Sequence, residues 1–292
     1  MNEANKNLLV RIGSAVVLIP VVIACIYAGT WPTAILMALA SVLMAEEFTR
    51  ITLKAHDAAQ FTAIAASVCP ALTFAALGQG AFSVIAVEAV LVLIAVFVIY
   101  LLRGPLPEAP QRISLVFTAF FYTGVLPASI VALRGLEGQP GGTGILSDLG
   151  MAWVVIAFLL TWSNDTGAYV FGRTLGRRKL YPAVSPGKSW EGFWGGMLTT
   201  VGAAFLIRWC FGLNLTWTEV LLLAFPVSVL GPLGDLSESM IKRAYGVKDS
   251  GRTIPGHGGV LDRLDAMLFT APYIFFFVSV VLPWLRASSS AQ

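Results

Sequence analysis

Residues 82–102 read FSVIAVEAVLVLIAVFVIYLL, with Glu88 as the single charged residue. An α-helix of about 20 apolar residues is long enough to cross the hydrocarbon core of a bilayer. Comparable apolar stretches recur along the chain, for example at 12–28 and 114–133. Lipid leaves unpaired backbone groups unsatisfied, and these stretches lack the alternating pattern of barrel strands. The predicted fold class is therefore all-α, a polytopic integral membrane protein with about nine transmembrane helices.

The composition excludes the main alternative classes. Of the 292 residues, 57% are hydrophobic and 12% are charged, whereas about a quarter of the residues of a soluble domain are charged. Disorder requires low hydrophobicity and high net charge, but the formal net charge here is +3. Cys25, Cys69 and Cys210 lie far apart inside apolar segments, which disfavours a disulfide framework or a zinc site.

The distribution of Lys and Arg predicts the orientation in the membrane. With nine spans and a cytoplasmic N-terminus, only Arg134, Arg208 and Arg286 of the 19 Lys and Arg residues fall on the outer side. All the others, Lys6 and Lys54 included, fall on the inner side. Because cations near helix ends are retained in the cytoplasm, the N-terminus is predicted to be cytoplasmic.

The charged residues are concentrated in two predicted loops, 163–192 and 235–265, and both loops fall on the cytoplasmic side. Most other connections are short or carry few charges. The chain is thus predicted to divide into an N-terminal multispanning helical region, 1–135, and a C-terminal helical catalytic region, 150–285. The C-terminal region carries both loops.

The first loop opens with Asn164 and Asp165 at the predicted end of a membrane helix. An ionisable group at that depth is costly unless it faces protein or water, which makes the pair a candidate functional site. A helix cap is the alternative interpretation. A basic cluster, GRRK at 176–179, follows. It suits anionic lipid headgroups and an anionic substrate equally well.

The end of the first loop reads SPGKSWEG at 185–192. It is not a P-loop, because that motif requires a glycine where this chain has Pro182. A turn in which Ser185 and Lys188 donate hydrogen bonds to phosphate oxygens is predicted instead. Glu191 stands near the start of the next helix, where a carboxylate is favoured.

The second loop interleaves glycines with charged residues around His257. Glycine lets backbone amides approach an anion closely, so this stretch is suited to wrapping a polyphosphate. Asp235 and Asp262 each lie near a helix end. Mg²⁺ prefers one or two carboxylates together with substrate phosphates, so this pair predicts a nucleotide–metal site; neutralisation of neighbouring cations is the alternative. For His257 we expect a phosphate contact or a structural role in the glycine turn.

These segments resemble the phosphatidate cytidylyltransferases, also called CDP-diacylglycerol synthases. SMIKR at 239–243, KDSG at 248–251 and IPGHGGVLDRLD at 254–265 agree with every specified position of that family's signature. NDTGAY at 164–169 and SPGKSWEG at 185–192 are similar to the family as well. The likeness spans 163–265, and the N-terminal half is similar only in being hydrophobic and multispanning.

The resemblance implies transfer of the CMP moiety of CTP to phosphatidic acid, which yields CDP-diacylglycerol and pyrophosphate. It also implies a Mg²⁺-dependent homodimer, with K⁺ as a second cation, among the lipids of the bacterial inner (cytoplasmic) membrane, and no nucleic-acid partner. Carried over to matching positions, Asp235 and Asp262 would hold the metal. The catalytic residues would be Asp235, Lys242, Arg243, Asp262 and Asp265. The substrate-binding residues would be Asn164, Asp165, Ser185, Lys188, Glu191, Ser239, Lys248, Asp249, His257 and Arg263.

Two other classes compete with this interpretation. A transporter could use Glu46, Glu47 and Glu88 as an ion path, although the polar residues gather in two loops on one side and no inverted repeat is visible. The roles of these three residues are otherwise open: a headgroup contact, a buried pair or an interfacial position. A lipid or polyprenol kinase that uses a nucleoside triphosphate would lack the signature that ends at 262–265.

Overall fold

The structure is a computed structural model that describes residues 3–53, 58–138 and 148–290. It confirms the predicted all-α class, with one two-stranded antiparallel hairpin as the sheet in these ranges. Lys54 and the side chain of Lys6, which the orientation argument uses, lie outside the described residues. The helices and strands are α1 (Glu3–Ala28), α2 (Thr30–Thr52), α3 (Ala58–Leu77), α4 (Ala81–Arg103), α5 (Ala109–Ala119), α6 (Leu126–Arg134), α7 (Leu149–Leu175), β1 (Lys179–Tyr181), β2 (Ser185–Ser189), α8 (Trp190–Cys210), α9 (Trp217–Ala244), α10 (Leu261–Leu264), α11 (Met267–Phe276) and α12 (Leu282–Ser290).

Six segments of the described chain are long and apolar enough to cross a membrane, as a multi-pass protein requires. The longest, Ala58–Arg103, has 46 residues and contains α3 and α4. As one straight helix it would measure about 70 Å, more than twice the hydrocarbon thickness, so its length suits two crossings. Helices α2 and α8 are not among the six, so the count of nine is not confirmed. The other five segments are Leu9–Ala28, Leu106–Arg134, Leu149–Leu175, Trp217–Ala244 and Met267–Ser288.

Large apolar side chains lie on the outside of these helices. Val16 on α1 and Leu91 and Leu101 on α4 are all more than half exposed. In water such faces would be an aggregation hazard, whereas lipid solvates them. Small and polar side chains such as Ser41 and Ser67 are buried between helices instead. This arrangement is the one expected of helices packed within a bilayer.

The chain divides into two compact units. The first unit comprises Met1–Gly135 and Lys242–Leu264, and the second comprises Leu136–Ile241 and Asp265–Gln292. In the first unit the core forms around Met44, Phe48 and Phe120, which are fully buried. The segment from Lys242 to Leu264 therefore belongs with the N-terminal helices, whereas the prediction placed it in the C-terminal region.

In the second unit, α7 and α8 pack closely because α8 presents glycines to α7. A Cβ atom at Gly195 would lie 2.3 Å from Cβ of Phe171, and one at Gly196 would lie 3.0 Å from the carbonyl oxygen of Asn164. Only glycine permits such an approach. The close packing fixes the part of α7 that carries Asn164 and Asp165.

Both predicted loops are shorter in the structure than in the prediction, because the helices continue beyond the apolar residues. Helix α7 runs to Leu175 and α9 runs to Ala244, so the residues from Ser163 and from Asp235 onwards are still helical. Intrahelical hydrogen bonds persist in water until a residue stops them. The backbone N–H of Gly176 closes α7, and Gly246 adopts a φ of 72° just after α9.

Candidate active site

Three carboxylates gather in the second unit: Asp165 on α7, Asp235 on α9 and Asp265 two residues before α11. We call them the carboxylate cluster. Gly234 allows the approach, since a Cβ there would lie 2.4 Å from the backbone oxygen of Asp265. Burial, and then the charge of Asp235, raises the pKa of Asp265 to about 7. The charge of Asp165 acts in the same direction, and that of Lys188 opposes it. Such a cluster attracts a cation.

The raised pKa of Asp265 predicts a pH-dependent stability. An acid whose pKa is higher in the folded than in the unfolded chain stabilises the fold below its ordinary pKa, and that stabilisation is lost as pH rises through the folded value. For Asp265 the window runs from 3.8 to about 7. In the absence of magnesium, we expect the melting temperature in detergent to fall across this window.

The Asp265→Asn variant should lose this component of the pH dependence, because the amide does not titrate. Thermal unfolding in the presence of a chelator, followed at several pH values through the window, measures it. Added Mg²⁺ should oppose the fall in the unmodified protein. An equal fall in the variant and the unmodified protein would assign the titration to another group.

Lys188 on β2 supplies the cation beside the carboxylate cluster. Its Nζ lies 2.8 Å from Oδ2 of Asp235 and donates to the carbonyl oxygen of Pro232 at 3.3 Å. The other oxygen, Oδ1 of Asp235, accepts from the hydroxyl of Ser239 at 3.3 Å. The lysine side chain keeps 23% of its surface exposed, so it remains accessible to an anionic ligand.

This ion pair forms part of the wall of a cavity of about 650 Å³ in the second unit. That volume lies within the range of sites that hold small molecules. Charged residues and aromatic residues line it together, so its wall can contact both phosphate groups and an apolar surface. The cavity brings together the predicted site residues Asn164, Asp165, Ser185, Lys188 and Asp235, with Tyr169, Arg173, Leu180 and Phe193 among the other lining residues.

Asn164 also connects three helices. Its side-chain Nδ2 donates to Oγ1 of Thr200 on α8 at 3.1 Å and to the carbonyl oxygen of Ser228 on α9 at 3.0 Å. The residue is fully buried, and its Oδ1 has no hydrogen-bond partner among the described residues. The structure thus gives Asn164 an interhelical role, and its predicted contact with the nucleotide stays a prediction.

Glu191 lies in the first turn of α8 and does not line the cavity. Its carboxylate accepts the backbone N–H groups of Arg177 at 3.0 Å and Arg178 at 3.2 Å. The bond from Arg177 is the main cause that lowers the pKa of Glu191. Glu191 therefore holds the entry to β1 against the start of α8, and its assignment to substrate stays a prediction.

Asp262 lies in the first unit, in the segment that the signature predicted. Its Oδ1 lies 2.6 Å from Nζ of Lys242, and both side chains are mostly buried. Its Oδ2 accepts from the backbone N–H and the hydroxyl of Ser250 at 3.1 and 2.9 Å and from the N–H of Gly259 at 2.9 Å. Both oxygens are already bonded to protein donors. Metal binding by Asp262 stays a prediction, and a metal there would replace some of these bonds.

Sequence reasoning left Glu47 unassigned, and the structure places it at the centre of this segment. Glu47 is fully buried on α2 and accepts hydrogen bonds from Ser250, Thr253, Val260 and Leu261. No motif surrounds Glu47 in the sequence. The only signal there was the presence of a carboxylate within a predicted apolar helix. Glu46 pairs instead with Arg50 at 3.7 Å, and Glu88 accepts from the hydroxyl of Thr73.

His257 has contacts that suit a structural role in the glycine turn, and the predicted phosphate contact stays a prediction. It stands between Gly256 and Gly258, whose φ angles of 75° and 88° favour glycine. Its Nδ1 lies 2.9 Å from the hydroxyl of Ser14 on α1, and Arg11 of the same helix donates to the carbonyl oxygen of Gly256 at 2.7 Å. Helix α1 therefore fixes the glycine turn.

The remaining predicted residues lie at the surface of the same segment. Arg243 donates to the carbonyl oxygen of Val247 at 2.8 Å, and Arg263 donates to that of His257 at 2.8 Å. Lys248 and Asp249 are exposed. Their predicted roles in substrate binding or catalysis stay predictions.

Among the described residues, no group of three or more His, Cys, Asp or Glu side chains is arranged so that it could hold a metal ion. Mg²⁺ does not require one, because it binds through one or two carboxylates, with water and substrate phosphates as the other ligands. A carboxylate oxygen such as those of Asp235 is the kind of ligand that this ion takes. Magnesium binding by Asp235 stays a prediction.

Comparison with known proteins gives a consistent result. The sequence model of the cytidylyltransferase family matches residues 9–281. A phosphatidate cytidylyltransferase of Staphylococcus epidermidis is 46% identical over 125 residues, which are 43% of this chain and 48% of the relative. One from Bacillus subtilis is 36% identical over 170 residues, which are 58% of this chain and 60% of the relative. The aligned part of the chain thus spans about half the length of the first relative.

Proposed function

We propose a function from the premise that this chain belongs to the cytidylyltransferase family. In this proposal the protein transfers the CMP moiety of CTP to phosphatidic acid, forming CDP-diacylglycerol and releasing pyrophosphate in phospholipid biosynthesis. One observation carries it: the pair of Lys188 and Asp235 in the wall of a cavity of about 650 Å³ that also holds Asp165. The names of the relatives support the choice of substrates.

The proposed reaction joins two anions, and that sets its main difficulty. A phosphate oxygen of phosphatidic acid attacks the α-phosphorus of CTP, and the bond from that phosphorus to the pyrophosphate oxygen breaks. The attacking phosphate is already ionised near neutral pH, so no strong general base is needed. Catalysis then depends on positioning and on cations that offset the negative charge.

Lys188 is the cation that the cavity supplies for this purpose. Its ammonium group contacts the carboxylate of Asp235 and donates to the backbone oxygen of Pro232, and an ammonium group has a third N–H for a phosphate oxygen. Arg173, which also lines the cavity, offers a second positive group. We propose that Lys188 binds a phosphate of CTP, while the aromatic wall formed by Tyr169 and Phe193 contacts an apolar part of a substrate.

A magnesium ion held by Asp235, with Asp165 and Asp265 beside it, completes the proposal. Such an ion would neutralise the triphosphate and polarise the phosphorus that is attacked. The positive charge of the ion would also offset the repulsion between the carboxylates of the cluster. K⁺ is proposed as a second cation.

The location of the protein is proposed from the charge distribution and the bacterial relatives. The multi-pass chain would lie in the bacterial inner membrane with both polar segments on the cytoplasmic side. Phosphatidic acid could then stay in its leaflet while CTP enters from the cytoplasm. A homodimer is proposed on the resemblance alone.

The ion path of a transporter has less support from the described residues. Glu47 is bonded to backbone and hydroxyl groups, and Glu46 pairs with Arg50. Neither carboxylate faces the cavity. A lipid kinase stays distinguishable by experiment, because it would transfer the terminal phosphate of CTP instead of the CMP moiety.

The test uses purified protein in detergent micelles with CTP labelled at the α- or the γ-phosphorus. We expect the α-label to enter the lipid phase only when CTP, phosphatidic acid and Mg²⁺ are all present, and the γ-label to leave as pyrophosphate. Transfer of the γ-label to lipid would instead show a kinase. If folded protein transfers neither label, the proposed function is wrong.

A further inference from the structure

We infer that Glu47 is a positioning residue for the reaction: its buried carboxylate fixes the glycine-rich loop, residues 245–260, and through Ser250 it fixes Asp262. The inference rests on the proposed function, since the loop belongs to the signature that the reaction implies. Glu47 lies in the N-terminal half of the chain, outside the signature segments at 163–265.

Four donors converge on this one carboxylate. Oε1 accepts from the hydroxyl of Thr253 at 2.6 Å and the N–H of Val260 at 3.0 Å. Oε2 accepts from the N–H of Leu261 at 2.9 Å and the hydroxyl of Ser250 at 3.2 Å. The donors come from the middle of the loop, from its last residue and from the first residue of α10. Glu47 therefore closes the loop onto α2.

The carboxylate of Glu47 explains why two positions of the loop are glycine. A Cβ at Gly251 would lie 2.6 Å from Oε1 of Glu47, and a Cβ at Gly259 would lie 2.5 Å from Oε2. A side chain at either position would collide with the carboxylate. In the described structure these two glycines accommodate the carboxylate of Glu47, and the predicted wrapping of a polyphosphate by the glycine-rich stretch stays a prediction.

Ser250 connects Glu47 to Asp262. Its hydroxyl lies 3.2 Å from Oε2 of Glu47 and 2.9 Å from Oδ2 of Asp262. A hydroxyl has a single proton, so it donates to one carboxylate at a time. The carbonyl oxygen of Ser250 also accepts from Nη2 of Arg50 at 3.2 Å. The position of Asp262 and of its partner Lys242 therefore depends on the residue that holds Ser250.

Only a carboxylate of this length satisfies all the donors. An ionised Glu offers acceptor oxygens on both sides, whereas Gln places an N–H₂ group on one side. That group would face a hydroxyl, which can turn to accept, and a backbone N–H, which would be left without an acceptor. Buried donors left without an acceptor are costly, so the loop should open more often while the helices stay folded.

The first experiment compares Glu47→Gln with Glu108→Gln, the same change at an exposed carboxylate that pairs with Arg112 at 2.9 Å. Amide hydrogen exchange reads the loop, and the cytidylyl-transfer assay reads kcat and KM for each substrate. In Glu47→Gln we expect exchange at Val260 and Leu261 to rise by about tenfold or more, the factor that the loss of one charged hydrogen bond gives. We expect kcat to fall by about as much, with the KM for phosphatidic acid unchanged. Glu108→Gln should change neither.

A second pair guards against a Glu47 variant that fails to fold. Gly259→Ala keeps Glu47 but introduces a methyl group 2.1 Å from Oγ of Ser250, whereas a methyl group at Gly202 meets nothing within 4 Å. Gly259→Ala should speed exchange in the loop and lower kcat, and Gly202→Ala should do neither. Normal exchange and normal kcat in Gly259→Ala or in Glu47→Gln would overturn the inference, as would a fall in kcat without faster exchange.

The exchange measurement separates this inference from the proposed function. If the unmodified protein transfers no label to lipid, the proposed function fails whatever the loop does. If it transfers label and Glu47→Gln does so equally well with a loosened loop, the proposed function stands and Glu47 is only structural.

Discussion

The Asp235→Asn variant is expected to lose cytidylyl transfer, with kcat lower by about 10³-fold or more, and to stay folded. The amide keeps the volume of the side chain but removes the charge that attracts a magnesium ion to the carboxylate cluster. It also removes the partner of Lys188, whose Nζ lies 2.8 Å from the carboxylate. Because Lys188 retains 23% exposure, water can solvate its ammonium group and the fold should tolerate the change.

The measurement is the α-label assay at saturating CTP and phosphatidic acid, with thermal unfolding in the same detergent. Asp148→Asn is the matched control, because Asp148 caps α7 by accepting the N–H of Met151 at 2.9 Å and Asn caps helices equally well. Near-normal turnover in Asp235→Asn would remove the metal role from this residue. Unfolding of Asp235→Asn alone would make its role structural.

The second large effect is expected in Lys188→Ala, with a loss of about 10²-fold or more in kcat/KM for CTP. Lys188 is the ammonium group nearest to the carboxylate cluster in the cavity wall. Phosphate groups that enter the cavity bring several negative charges next to Asp235, and without Lys188 part of that repulsion has no counter-charge. The loss should appear at all phospholipid compositions.

Lys179→Ala is the control, since Lys179 lies on the other strand of the same hairpin, is exposed and does not line the cavity. It removes the same charge from the same element. Its effect should be small and should depend on the content of anionic lipid, as a headgroup contact implies. Equal losses in the two variants would mean that the hairpin acts through its overall charge, and the site assignment of Lys188 would be wrong.

The apolar runs predict the membrane helices because the requirement is local. About 20 apolar residues form a span whatever surrounds them, and the structure confirms the all-α class. The helix ends were harder to predict, since a helix that leaves lipid for water continues until a residue such as Gly176 stops it. Hence Asp165 and Asp235 lie within helices, where the sequence predicted loops.

Part of the candidate site could be predicted, because its residues have suitable polar side chains and lie in the two charged segments of the sequence. Asn164, Asp165, Ser185, Lys188 and Asp235 were all predicted as site residues, and they line one cavity. The interhelical bonds of Asn164 could not be foreseen, because its acceptors are 36 and 64 residues away.

Glu47 shows most clearly what distance along the chain conceals. Its partners lie 203 to 214 residues away, and no spacing rule reaches across such a separation. By itself, the sequence determined the helical membrane class, the charge asymmetry and the polar groups available to the proposed reaction, since these follow from composition and local pattern. Only the tertiary structure decided which carboxylate accepts several protein hydrogen bonds, which carboxylates lie together and which side chain Gly251 and Gly259 accommodate, because those outcomes depend on burial and on hydrogen bonds between distant segments.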